Sequence, residues 1–215
     1  MDEGYIKFRS ERLDGAVAVS PRLEALADAR TRLFDLGLVG AYANGVGYGN
    51  VSLRDGANAF IISASATGAT RVLGSAQFCL VEAFSISGNW VRARGTQSAS
   101  SESMTHGAIY AADAAVQCVI HVHSRLLFDT LLRQGAAATP ACVAYGTPAM
   151  AQAVIQLVAA QRQYPVIFAM TGHAEGVVAY GTDCASVLSL LIEQLQACPA
   201  ATAPAPGCGT RPSTS

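Results

Sequence analysis

The chain has 215 residues, enough for one ordinary domain with a core of its own; half of them (51%) are hydrophobic, yet no apolar run approaches the roughly 18–20 residues that span a bilayer. Met1-Asp2-Glu3 lacks the basic-then-apolar pattern of a signal peptide, so a cytoplasmic protein with no membrane partner is expected. Net charge is −1 with no basic stripe, which argues against nucleic acid; charged residues are only 13%, about half the usual ~25%, which points to surface hidden in a homo-oligomer.

Residues 1–20 read as an N-terminal extension, irregular apart from a short strand at Tyr5–Phe8. Ser20-Pro21 then supplies an N-cap and a first-turn proline, with Leu23, Leu26, Arg30, Leu33 and Phe34 at helical spacing up to Gly37. The glycine-rich stretch Gly45-Val46-Gly47-Tyr48-Gly49-Asn50 leads into a strand at Val51–Arg54, and Asp55-Gly56 turns the chain into a returning strand at Ala59–Ser63. Strands are predicted at Cys79–Ser85 and from Trp90, around a Ser87-Gly88-Asn89 turn. Ser100-Ser101 opens a helix to Ala115, and a strand follows at Gln117–His123. Thr147-Pro148 starts another helix to about Gln161. Apolar strands at Val166–Met170 and Gly176–Tyr180 bracket the loop Thr171-Gly172-His173, and Thr182 caps a last helix, Asp183–Ala197. Residues 21–197 thus form the expected domain; from Cys198 on, Pro, Ala, Gly, Ser and Thr dominate and predict a disordered tail, 198–215. The order of elements implies a mixed α/β layer fold with a largely antiparallel sheet.

The six cysteines include no Cys-x-x-Cys pair, and the default for each is a structural thiol. Chemistry is sought first among the four histidines. In His121-Val122-His123 the two rings leave one face of a strand about 7 Å apart, a spacing on which they can converge on one ion, although packing alone would explain them equally well. His173, in a Gly-rich turn, is a third donor; three nitrogens would leave a position open for water or substrate. Glu102 begins the helix before the His-x-His strand, where the helix dipole favours a carboxylate in any case; it can also act as a proton-transfer base. His106, one turn on, is expected to pack or orient a neighbour. Gly49-Asn50, Thr67-Gly68 and Ser100-Ser101 are three short polar stretches able to hold an anion, each equally an ordinary turn or cap.

Together these stretches resemble the class II aldolase and adducin head-domain family, which includes fuculose-phosphate aldolase and ribulose-phosphate 4-epimerase. The likeness lies in Gly-Asn-Val-Ser at 49–52, Ala-Thr-Gly at 66–68, Ser-Ser-Glu at 100–102, His-Val-His-Ser at 121–124, Gly-Thr-Pro at 146–148 and Gly-His at 172–173. The resemblance implies a three-layer α/β/α fold around a mixed, mostly antiparallel sheet, with sites at the subunit boundaries of a homotetramer. It implies zinc, or another divalent ion, on His121, His123 and His173; Glu102 as general acid/base; and Gly49, Asn50, Thr67, Gly68, Ser100 and Ser101 around a substrate phosphate. The implied activity is that of a lyase of carbohydrate metabolism, cleaving a small, phosphorylated hydroxy-carbonyl compound through an enediolate. Epimerisation, dehydration or decarboxylation on the same site are the alternatives, and a non-catalytic adducin-like binding domain is another. The segment between His123 and Gly146 is short for the family and holds one tyrosine, Tyr145; none follows Ala197. The metal centre therefore reads as kept and its proton-donating surround as altered.

Overall fold

The computed structural model describes residues 5–161 and 163–199. The predicted tail from residue 200 onward lies outside the described residues. An eight-stranded sheet runs in the order β1 (Arg9–Leu13), β7 (Trp90–Arg94), β6 (Phe78–Ser85), β5 (Phe60–Ser63), β4 (Asn50–Arg54), β8 (Cys118–His123), β10 (Gly176–Gly181), β9 (Val166–Ala169). Every pairing is antiparallel except β1 with β7. A two-stranded ribbon, β2 (Gly40–Ala41) with β3 (Gly47–Tyr48), stands apart from the sheet.

Period-two alternation divides the core into two apolar clusters. On one face Val51, Leu53, Ile120, Val122, Val177 and Ala179 pack against α1 (Pro21–Asp35), α3 (Arg125–Arg133) and α5 (Cys184–Gln196). On the other, Phe60, Val81, Val119, Phe168 and Tyr180 meet α2 (Ser103–Ala112) and α4 (Pro148–Ala159). The result is the expected α/β/α arrangement around a mostly antiparallel sheet.

Local chemistry sets the helix ends. The Ser20, Thr147 and Asp183 side chains accept hydrogen bonds from the backbone N–H groups of Leu23, Met150 and Ser186, capping α1, α4 and α5. Several elements differ from the sequence reading, among them the cap of α5, which is Asp183 rather than Thr182 because its carboxylate accepts the Ser186 N–H. The N-terminal strand lies at Arg9–Leu13 rather than Tyr5–Phe8, because its pairing with Trp90–Arg94 fixes it, not its own apolar residues. Helix α3 is an addition: Ser124 caps it at Leu127 N, and its inner face is Leu127, Phe128, Thr130 and Leu131. Helix α2 is also shorter than expected, ending at Ala112, with Glu102 at its N-cap position.

Candidate functional site

The alternation that sends Ile120 and Val122 to one face of β8 sends His121 and His123 to the other. His173 comes from the turn between β9 and β10, and the three rings cluster with centroids 4.7–5.1 Å apart, His123 edge to face with both of the others. One donor nitrogen from each lies within 4.8 Å of the others. His123 Nε2 and His173 Nε2 are 2.9 Å apart. An ion with bonds of about 2.0–2.1 Å in tetrahedral geometry separates its ligand nitrogens by about 3.3–3.4 Å, somewhat more than the distance between those two. His121 Nδ1 faces the Asn50 amide at 3.5 Å, while its buried Nε2 has no hydrogen-bond partner among the described residues. His123 Nδ1 is 2.9 Å from the Tyr42 hydroxyl, the kind of outer contact that fixes a ligand ring. Burial, then the neighbouring rings, lowers His121 well below the usual imidazole range; burial foremost brings His123 to about 3 and His173 to about 4. The rings are therefore neutral near pH 7, the form that binds a divalent ion. Gly176 makes the approach possible, since a Cβ there would stand 2.5 Å from His173 Cδ2 and 3.3 Å from His121 Nε2.

Glu102 is buried and lines the same hollow, together with Tyr48, Ser101 and Tyr145. Its Oε2 accepts the Thr105 hydroxyl at 2.7 Å, a contact one helical turn long that orients the carboxylate. His106 has the packing role expected of it. It is fully buried, Nδ1 is 2.7 Å from Ser52 Oγ, and Ser52 Oγ is 2.8 Å from the Tyr110 hydroxyl.

A polar cleft of about 270 Å³ opens beside the hollow and is walled by Gly49, Asn50, Thr67, Gly68, Ser100 and Ser101 among others. All six of the residues singled out for an anion therefore converge, though they come from three separate stretches of sequence. The two spaces share Gly47, Gly49, Asn50 and Ser101 in their walls. The cleft's Ala-Thr-Gly turn is tightly built. Ala66 holds φ at +61°, and a Cβ on Gly68 would meet the Gly40 carbonyl oxygen at 2.2 Å.

Several residues at the site were not expected there. Tyr42 and Tyr48 enter from the β2–β3 ribbon, their rings 4.6 Å apart. Tyr145 meets His173 edge to face, centroids 4.4 Å apart, with Lys7 Nζ 3.9 Å from the tyrosine ring centroid. Tyr5 lines the polar cleft. Tyr48 had a signal, because it stands inside the glycine-rich stretch. Lys7 and Tyr5 had none: only the fold brings the N-terminal segment to the site, with Asn89 Nδ2 donating to the Lys7 carbonyl at 3.0 Å.

Comparison with known proteins agrees with this architecture. Among solved structures, L-fuculose-1-phosphate aldolase from Thermus thermophilus superposes with a TM-score of 0.59 at 20% identity, covering 82% of this chain and 91% of that one. A further L-fuculose 1-phosphate aldolase reaches a TM-score of 0.61 at 19% identity, covering 83% of each chain. A sugar-phosphate aldolase from Thermotoga maritima reaches 0.56 at 16% identity, covering 81% of this chain and 93% of its own. A search of curated proteins found no match. The sequence of residues 24–201 matches the family described as Class II Aldolase and Adducin N-terminal domain, and with its mostly antiparallel sheet and clustered histidines this chain belongs to that family.

Proposed function

We propose that the chain is a metal-dependent carbon–carbon lyase acting on a small, phosphorylated hydroxy-carbonyl compound. The observation that carries this reading is the contiguity of two spaces: a three-histidine hollow with a buried carboxylate, and a polar cleft suited to an anion. His121, His123 and His173 would hold a divalent ion, zinc or another metal that imidazole suits, and such an ion supplies Lewis acidity toward a carbonyl oxygen. Asn50, Thr67 and the Ser100-Ser101 pair, with Gly49 and Gly68 admitting the backbone closely, would hold the phosphate and so fix which carbonyl reaches the hollow. Glu102, aimed by Thr105, would take the hydroxyl proton as the carbon–carbon bond breaks and return a proton to carbon. Tyr145 lies in the wall of the same hollow and would border the bound substrate there. A homotetramer in the cytoplasm completes the reading. Its supports are the low charge content and the free thiols of Cys79, Cys118, Cys142, Cys184 and Cys198.

The test is mass spectrometry of sugar phosphates and sugar acids incubated with the purified protein, with and without a chelator. Chelator-sensitive cleavage into two carbonyl fragments is the expected result. A product of unchanged mass would favour epimerisation, loss of water or of carbon dioxide would favour dehydration or decarboxylation, and no conversion would favour a binding role.

A further inference from the structure

The polar cleft has no lysine or arginine among the described residues of its wall. A cation nevertheless stands directly behind it. Arg30, on the inner face of α1, is 3% exposed. Its Nη2 donates to the Thr67 and Gly68 carbonyl oxygens at 3.1 Å each; its Nη1 donates to Arg71 O at 2.8 Å and also to Thr70 O. The guanidinium thus grips the turn from behind through four carbonyls, and the front of the same turn lines the cleft. The Phe34 ring lies 5.0 Å from its Cζ.

What Arg30 lacks is a counter-ion. The ion pairs among the described residues leave it out; the neighbouring Arg71 pairs with Asp35 at 2.7 Å, and Arg30 meets only neutral oxygens. Burial accordingly lowers its pKa, with no carboxylate to offset the effect. A buried charge without a partner is expensive, and a protein retains one where something else completes the pair.

We infer that the missing partner is the anionic group of the substrate, and that Arg30 is a positioning residue that makes the cleft selective for a phosphate. This rests on the proposed reading of the cleft as an anion site. Two effects act in the same direction. The guanidinium fixes the Thr67 and Gly68 carbonyls away from the cleft, holding the front of the turn in place for a ligand. Its positive charge, one peptide layer away and screened by protein rather than water, favours a doubly charged group over a neutral hydroxyl. The cleft gains a cation's field without a flexible cation inside it.

Calorimetric titration of inorganic phosphate into the full-length protein tests this, repeated on His121→Ala so that phosphate held by a metal ion is counted separately. Arg30→Met and Arg30→Gln should each weaken phosphate binding about tenfold or more, while metal content stays at the wild-type value. Arg30→Lys, which keeps the charge, should stay within a few-fold of wild type. A merely structural role would lower metal content and thermal midpoint along with phosphate affinity and would show no rescue by lysine; that pattern, or unchanged affinity in Arg30→Gln, overturns the inference. Should both neutral variants fail to fold, wild type carries the test, because its affinity should rise several-fold as phosphate passes from monoanion to dianion around neutral pH, and a flat profile sinks the idea. If the wild-type protein binds no phosphate at all, the reading of the cleft itself fails, a result distinct from failure of Arg30 alone.

Discussion

His121 sits at the meeting point of the site's parts, with Asn50 on one side of its ring and the bare Nε2 on the other. Removing it should remove the ion. His121→Ala is expected to purify with substoichiometric zinc by elemental analysis, and a full complement would refute its role as a ligand. Glu102→Gln preserves shape and drops the charge. It should keep its metal and its far-ultraviolet spectrum while losing about 10²–10⁴-fold in turnover, as loss of a positioned proton carrier does. Acid should also destabilise the metal-free protein. Burial lowers His106 to about 3, as it lowers His123 to about 3 and His173 to about 4. In the unfolded chain these rings take up protons near pH 6.5, in the folded chain only near 3–4, so below pH 6.5 protons favour the unfolded state. The stability of chelator-treated protein is therefore expected to fall steadily from about pH 6.5 to about pH 4 in thermal melts, and a flat midpoint would contradict the burial of neutral histidines.

At the scale of elements, the site depends on places where only glycine fits, Gly68 and Gly176 among them. Gly68 lets the Ala-Thr-Gly turn lie against the Gly40 carbonyl, and Gly176 lets β10 pass beneath two histidine rings. Gly176→Ala should displace His173 and weaken metal binding about 10–100-fold, the usual effect of disturbing a ligand's support, read by competition with a chromophoric chelator. An unchanged affinity would mean that the rings can move aside. Helix α3 shows why an element escapes a sequence reading. Its cap, Ser124, and its apolar face both stand in the sequence, but over 9 residues the helical period barely repeats. Replacing Ser124 by Ala should cost about 0.5–2 kcal/mol in denaturant unfolding.

Across the whole molecule, the fold brings the N-terminal segment to the site. Lys7 reaches Tyr145, and Tyr5 reaches the cleft, from a segment that precedes the family match at residue 24. Apolar side chains remain exposed at Val19, Val72, Leu126 and Leu132. With so few charges on the chain, such surface fits burial between copies. Light scattering behind a sizing column should report a particle of four chains, and a monomer at micromolar concentration would remove the tetramer from the proposal.

The sequence by itself determined the periodic features. Alternation on β8 put two histidines on one face, capping residues marked the starts of α1 and α4, and Ser-Ser-Glu ahead of His-Val-His carried the family likeness. These are short-range matters, settled by strand and helix geometry within a few residues. Tertiary structure decided what came together. Asn50 lies opposite His121 because β4 pairs with β8, and Arg30 stands behind the cleft because α1 packs on β4. Tyr42, Tyr145 and Lys7 join the site through contacts between distant segments, which no local pattern encodes because each rests on packing of the whole chain.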